Sequence, residues 1–402
     1  METHRPVDHR RRQGYRQRMK EFEKIDPVEL TAELIRRPSI TPEDAGAMEV
    51  VERELARAGF ECFRADRNGI ANLVARWGEK SSQRSFGFNG HVDVVPPGNP
   101  SEWRINPFEG AIEGGQIWGR GAADMKSGVA AFVAAAVDLV RDQPPDGSII
   151  VTITGDEEGD ATDGTTAILD WMKANDEHMS VCLVGEPTCA ESMGDTIKIG
   201  RRGSMTLRFK AIGKQGHSAY PHRARNPVMA MSTLMHNLGR KVLDTGTEHF
   251  DPSTLAITTI DTGNPATNVI PAICEATVNI RFNDAQSSSG LSDWVATEVK
   301  AVEDETGISF DVQTRVSGES FLTPPGSFTE LVVSAVEAET GMRPTLSTTG
   351  GTSDARFIRA HCPVLEFGLV GKTMHQVDER VETAHILQLK AAYLRILRDY
   401  FA

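Results

Sequence analysis

Two periodicities alternate along the chain after residue 25. Apolar residues recur at helical spacing in Val28–Arg36, Gly46–Ala58, Met125–Arg141 and Thr165–Asn175. Apolar runs at Ala71–Arg76, Ser85–Asn89, Ser148–Thr154 and Val181–Val184 read as strands. Apolar strands alternating with helices predict a layered α/β domain around a central, largely parallel sheet.

The pattern changes near Gly203. Met205, Leu207, Phe209 and Ala211 alternate with polar residues, which predicts a half-buried strand. Asn226-Pro227 supplies an N-cap and a first-turn proline for a helix carrying Val228, Met231, Leu234, Met235 and Leu238. Strand patterns follow at Leu255–Ile260 and Cys274–Phe282, then an amphipathic helix through Leu291, Val295, Val299 and Val302, then a strand at Ile308–Val312. The order strand–helix–strand–strand–helix–strand predicts a ferredoxin-like α+β domain. Helix–strand alternation resumes with Phe328–Thr340, Val364–Phe367 and Ala384–Phe401. The expected organisation is therefore discontinuous. Residues 25–202 and 317–402 form one α/β domain, and residues 203–316 form a smaller domain inserted into it.

Composition narrows the field. The net charge is −13, with 43 Lys and Arg against 56 Asp and Glu, which disfavours non-specific nucleic-acid binding. The longest apolar run, Val129–Val137, stops at Asp138, well short of the roughly 20 residues a bilayer span needs, so no membrane partner is expected. Five cysteines without a CxxC pair favour reduced thiols and a cytoplasmic location. The first twenty residues carry seven Lys or Arg and no apolar core, unlike a secretory signal. Residues 1–24 are expected to be a disordered basic extension, with Met19 an alternative initiator.

Five polar clusters follow strand or loop signals: GHVDVVPPG (90–98), GRGAADMKSG (119–128), TGDEEG (154–159), GEPT (185–188) and GKTMHQVDE (371–379). Ligands of open α/β sheets bind beyond the carboxyl ends of strands. Taken singly, each has a plainer reading: a packed histidine, a solvated acidic turn, or, for Asp124, a helix N-cap. Together they supply the donors of a two-metal site. His91, Asp124, Glu158, Glu186 and His375 give each ion one imidazole, one terminal carboxylate and one oxygen of a shared aspartate. Imidazole plus carboxylate suits zinc. Glu157 is left over as a general base. Asp93, two residues after His91 in a strand, points to the same face and is placed to orient that ligand.

GHVDVVPPG, WGRGAADMKSG, TGDEEG, VGEPT, GRRGS, GHSAYPHRARNP, TNVIP, TTGGTSDARF and MHQVDE resemble the two-zinc aminoacylase and carboxypeptidase family over about residues 27–402. GRRGS, AYPH and GGTSDARF point to its desuccinylase branch. The resemblance implies one Zn²⁺ on His91, Asp124 and Glu186 and another on Asp124, Glu158 and His375, with Co²⁺ able to substitute. It implies Glu157 as acid/base, Asp93 as orienter of His91, and a cis peptide after Asp124. The inserted domain would be a lid and homodimerisation domain, its His217 donated to the active site of the partner subunit to hold the oxyanion. The implied reaction is hydrolysis of N-succinyl-LL-2,6-diaminopimelate to succinate and LL-2,6-diaminopimelate in lysine and diaminopimelate biosynthesis. Lys198, Arg201, Ser204, Tyr220, Asn268, Arg281, Gly351, Thr352 and Arg356 fall on the implied substrate contacts, with Arg202 beside them. Cationic groups retained in an acidic chain suit a multiply carboxylated substrate. Two positions depart from the commoner pattern: Gly371 where asparagine is usual, and the loop Gly263–Thr267. The alternatives are acetylornithine deacetylase or another N-acyl-amino-acid deacylase of the same family, a dipeptidase, and a non-catalytic scaffold on the same fold.

Overall fold

The structure, a computed structural model, describes residues 24–80 and 82–402. The basic extension expected over 1–24 falls outside these residues, apart from Lys24. The described chain forms two units. The first comprises residues up to Ile199 together with Thr323–Leu346 and Ser353–Ala402; the second comprises Gly200–Leu322 and Ser347–Thr352. The second unit is thus slightly wider than the 203–316 expected and takes in part of the TTGGTS stretch.

In the first unit, helices α1 (Pro27–Ile35) and α2 (Ala47–Arg57) precede strands β1 (Glu61–Arg64), β2 (Leu73–Trp77) and β3 (Ser85–His91). Helix α3 (Ser127–Asp142), β4 (Ser148–Thr154), α4 (Thr165–Ala174), β5 (Val181–Val184) and β6 (Thr196–Lys198) follow. The C-terminal part adds α5 (Ser327–Thr340), β7 (Thr345–Ser347), β8 (Val364–Glu366) and α6 (Thr383–Phe401). The sheet order is β1-β2-β4-β3-β5-β8-β6-β7. The four central strands β4, β3, β5 and β8 are parallel, while β1–β2, β2–β4 and β8–β6 pair antiparallel. The fold is thus mixed α/β, with its parallel part confined to the centre. Every residue of β3, β4 and β5 is buried, which is why these strands read as continuous runs rather than alternations.

Helix α3 is buried almost all round, and its alanines let neighbouring elements approach closely. Phe132 on α3 stacks on Phe88 of β3 at 3.9 Å between centroids, and Tyr393 of α6 meets both rings edge-on. The buried Tyr393 hydroxyl donates to the Phe367 carbonyl at 2.6 Å, which satisfies the one polar atom this aromatic cluster brings inside. Helix α3 starts at Ser127 rather than Met125. Asp124 and Met125 have non-helical dihedrals and the peptide between them is cis, the isomer implied by the resemblance.

The second unit has a four-stranded antiparallel sheet in the order Thr254–Asp261, Ile273–Phe282, Gly203–Ile212, Ser309–Gly318. Helices Pro227–Gly239 and Ser288–Thr306 cover one face, where Leu207, Phe209, Val278, Ile280, Leu234 and Val295 are buried. Among the described residues no helix is long and apolar enough to cross a membrane.

Candidate functional site

Register decides where the polar clusters go. His91, the last residue of β3, pairs in register with Thr154 at the end of β4, and Asn89 pairs with Val184 at the end of β5. The three strands therefore end side by side. The turns that follow bring His91 and Asp93, Glu157 and Glu158, and Glu186 to one place at the carboxyl edge of the sheet. The loop before α3 contributes Asp124, and the segment after β8 contributes His375.

His91 is buried. Its Nδ1 lies 3.0 Å from the Asp93 carbonyl oxygen, so Nδ1 carries the proton and donates, leaving the Nε2 lone pair for the site. Nε2 faces Asp124 Oδ1 at 3.3 Å and Glu186 Oε1 at 3.9 Å. On the other side, His375 Nε2 lies 3.5 Å from Asp124 Oδ2 and 2.9 Å from Glu158 Oε1. The two oxygens of Asp124 thus serve two different imidazoles. His375 adopts φ +62°, a left-handed conformation that histidine tolerates better than most residues and that recurs at functional positions.

The donor set fits two ions. Ligands about 2.1 Å from one tetrahedral zinc lie roughly 3.4 Å from one another, and the four separations above cluster around that value. Two donor triads also emerge from proximity alone: His91 with Asp124 and Glu158, and His91 with Glu157 and Glu186. Glu157 is thus also within ligand reach on the His91 side. The electrostatics agree. Burial, then repulsion from Asp124 and Glu157, pushes the Glu186 carboxyl well above its usual range. Burial does the same to Glu157, aided by Asp354, Glu158 and Asp124. His375 is driven up to about 10 by its hydrogen bonds to Asp124 and Glu158. Burial opposes a proton on His91, yet Asp124 and the surrounding carboxylates hold it well above the ordinary histidine value. This is an anionic cluster that draws in positive charge, as a site for divalent cations must.

Asp93 does more than expected, with different atoms. Its carbonyl, not its carboxylate, holds His91; the carboxylate is 3.6 Å from Nδ1. The carboxylate instead accepts the backbone N–H groups of Glu157 at 3.3 Å and Glu158 at 3.0 Å. One residue thus orients a histidine and the turn carrying both glutamates. Burial, the main cause, raises its carboxyl to about 6. Asp124 is no N-cap: its side chain is committed to the two histidines.

The expected substrate contacts fall in both units. Lys198 and Arg356 belong to the first. Lys198 is buried on β6, opposite Glu366 of β8, and the buried Arg356 Nε has no hydrogen-bond partner among the described residues. In the second unit, Arg201 donates to the Gly351 carbonyl at 3.1 Å. Gly350 has φ +107°, a conformation that favours glycine, and a Cβ there would meet Arg201 Nη1 at 2.5 Å. Thr352 follows Gly351 in the same segment. Ser204 pairs in register with Arg281, whose guanidinium is depressed by burial and then by the charge of Arg202. Two cations held this close suit an anionic ligand.

His217, Tyr220 and Asn268 also gather within the second unit. Ser218 N–H donates to the Asn268 carbonyl at 2.9 Å, and His217 and Tyr220 lie 5.7 Å apart between ring centroids. Ala219 N–H donates to His217 Nδ1 at 3.1 Å. With Nδ1 accepting this bond, Nε2 is the ring nitrogen left to donate. Gly371 lies against Pro187, next to Glu186; a Cβ there would meet Met374 Sδ at 3.2 Å and the Pro187 carbonyl at 3.3 Å. A side chain there asks Met374 and Pro187 to give by a few tenths of an ångström.

One residue escaped the sequence reading. Glu379, fully buried, accepts hydrogen bonds from Arg120 Nη1 and from the backbone N–H groups of Gly121, Ala123 and Asp124. Its position in MHQVDE, four residues after His375, was the available signal.

Residues 87–399 match the model of peptidase family M20/M25/M40, and the chain belongs to that family. It is 67% identical over 378 residues to a succinyl-diaminopimelate desuccinylase of Cereibacter sphaeroides, covering 94% of this chain and all of the relative. It is 66% identical over 377 residues to one from Dinoroseobacter shibae, with the same coverage. Among solved structures it resembles an M20 family metallo-carboxypeptidase from Sulfolobus solfataricus (TM-score 0.76, 15% identity, 93% of this chain and 99% of that one). It also resembles a dinuclear metal-binding M20 peptidase from Bacillus subtilis (TM-score 0.70, 14% identity, 97% and 100%). These last two likenesses concern the fold.

Proposed function

We propose that this chain is a metal-dependent amide hydrolase that cleaves N-succinyl-LL-2,6-diaminopimelate to succinate and LL-2,6-diaminopimelate, in lysine and diaminopimelate biosynthesis in the cytoplasm. One observation carries the chemistry: the carboxylate of Asp124 offers its two oxygens to two separate histidine–glutamate pairs. Identity of 62–67% to desuccinylases over 94% of the chain supports the substrate over an acetylated one.

His91, Asp124 and Glu186 would hold one zinc ion, and Asp124, Glu158 and His375 the other, with cobalt able to replace zinc. When bound, such ions act as Lewis acids and lower the pKa of a coordinated water toward neutrality. Glu157, buried beside both sets, takes the proton of the attacking water and delivers it to the amide nitrogen as the carbon–nitrogen bond breaks. Asp93 keeps His91 and the Glu157–Glu158 turn in place. Arg201, Arg281 and Arg356, with Lys198, Ser204, Tyr220, Asn268, Gly351 and Thr352, bind the three carboxylates and polar backbone of the substrate. The second unit serves as lid and homodimerisation domain, and His217 Nε2–H stabilises the oxyanion in the active site of the partner subunit.

The test is to load the enzyme with zinc and follow succinate release from N-succinyl-LL-2,6-diaminopimelate. Release at enzymatic rates is expected; none from a chain carrying two ions would contradict the reading. His217→Ala is expected to lower kcat about 10²–10³-fold without stripping metal. Mixing it with Glu157→Ala should restore activity through hybrid dimers that pair an intact Glu157 with an intact His217. No recovery in proven hybrids would place His217 in its own subunit's site.

A further inference from the structure

The bridging arrangement depends on how the stretch Gly119–Asp124 is held; its own turns contribute Ala122 N–H to the Gly119 carbonyl at 3.1 Å and Lys126 N–H to the Gly121 carbonyl at 3.0 Å, and the N–H groups of Gly121, Ala123 and Asp124 need another acceptor. Gly119 and Gly121 have φ of +151° and +85°. The N–H groups of Gly121, Ala123 and Asp124 converge on one point, and the carboxylate of Glu379 fills it. Oε1 accepts from Ala123 at 2.8 Å and Asp124 at 3.2 Å; Oε2 accepts from Gly121 at 3.1 Å and Arg120 Nη1 at 2.6 Å. The Glu379 carbonyl also accepts from Gly119 N–H at 2.9 Å. Both oxygens are occupied by donors, so Glu379 has no spare lone pair directed at an ion. It lies four residues beyond His375. One side chain therefore ties the backbone of the shared Asp124 to the segment that supplies a terminal ligand.

We infer that Glu379 is a positioning residue: by gripping the peptide N–H of Asp124 and its neighbours, it aims the Asp124 carboxylate so that its two oxygens serve two ions at once. This rests on the two-ion reading above. The competing explanation is that Glu379 exists only to neutralise buried Arg120. The two differ in what glutamine does. Glutamine at 379 keeps the shape but turns an NH₂ group toward two donors, so at least one pair of hydrogen bonds is lost.

The test uses full-length protein stripped with chelator and titrated with Co²⁺, followed by calorimetry and visible absorption. Wild type is expected to bind two ions per chain. Glu379→Gln is expected to bind at least one of them about 10–100-fold more weakly, the usual cost of losing a partner behind the ligands. Its Co²⁺ spectrum should change and kcat should fall while KM stays near the wild-type value. Because Glu379→Gln strands Arg120, the charge-balanced double variant Arg120→Met/Glu379→Gln is measured beside it. A folded double variant that still binds Co²⁺ weakly supports positioning. Wild-type Co²⁺ affinity in the double variant, or loss of fold in both variants, overturns it. Wild type that takes up fewer than two ions removes the two-ion reading, and this inference with it. Wild type with two ions and an equal Glu379→Gln overturns this inference alone.

Discussion

Glu157→Ala is expected to keep both metal ions and lose about 10²–10⁴-fold in kcat, the range that a positioned proton carrier contributes. The expectation combines position and chemistry. Glu157 lies among the ligands, close enough to His91 and Glu186 to have been a ligand itself. In the proposed assignment His91, Asp124 and Glu186 supply the set on that side, and Glu157 is the carboxylate left over. Its carboxyl is driven up by burial and by Asp354, Glu158 and Asp124, so it holds a proton more readily than an exposed glutamate. The check is metal analysis of the purified variant beside steady-state kinetics. A variant that loses an ion along with activity would make Glu157 a ligand, and a variant with near-normal turnover would remove it from the reaction.

Chelation is expected to cost the folded state on the order of 5 kcal/mol. An ion present at about 100 times its dissociation constant adds ~2.7 kcal/mol, and the proposed site holds two. For a unit of this size the melting temperature should fall by about 10 °C. The structural reason is the crowding of Asp124, Glu157, Glu158 and Glu186 around two imidazoles. Without divalent cations, burial and then repulsion among these carboxylates raise Glu157 and Glu186, and the neighbouring carboxylates raise the proton affinity of both histidines. Thermal unfolding with and without chelator, at fixed pH and protein concentration, measures this. An unchanged melting temperature would mean that the cluster is stable as it stands.

The sequence disclosed those parts of the molecule where a pattern repeats or a strand ends in chemistry. Ser148–Thr154 and Val181–Val184 match their strands because full burial requires unbroken apolar runs. His91, Glu158 and Glu186 were legible as a set because short turns follow parallel strands. Other features had no such pattern. Strand Glu61–Arg64 lies at the sheet edge, exposed at both ends, so it carries no apolar run. The three-stranded sheet of Ala111–Glu113, Gln116–Trp118 and Arg380–Glu382 is too short for periodicity, although Gly114-Gly115, both at positive φ, marks its hairpin. Helix α3 starts two residues later than the apolar spacing predicts, because Met125 is apolar and helix-compatible in sequence while its backbone dihedrals are non-helical. The contact of the Asp93 carbonyl with His91 is not legible either, since spacing shows which face a side chain takes and not what its carbonyl does. Glu379 was missed for a related reason. Three of the four donors on its carboxylate are backbone N–H groups, and those leave no trace in residue identity.

The most direct measurement is kcat/KM of the zinc-loaded enzyme on N-succinyl-LL-2,6-diaminopimelate with N-acetylornithine in parallel. The expected result is a preference for the succinyl substrate by orders of magnitude, because the proposed contacts give Arg201, Arg281 and Arg356 three carboxylates to bind there and fewer in the acetylated compound. A preference for N-acetylornithine would contradict the proposed substrate while leaving the two-ion chemistry in place, and would direct attention to Gly371 and the Gly263–Thr267 loop.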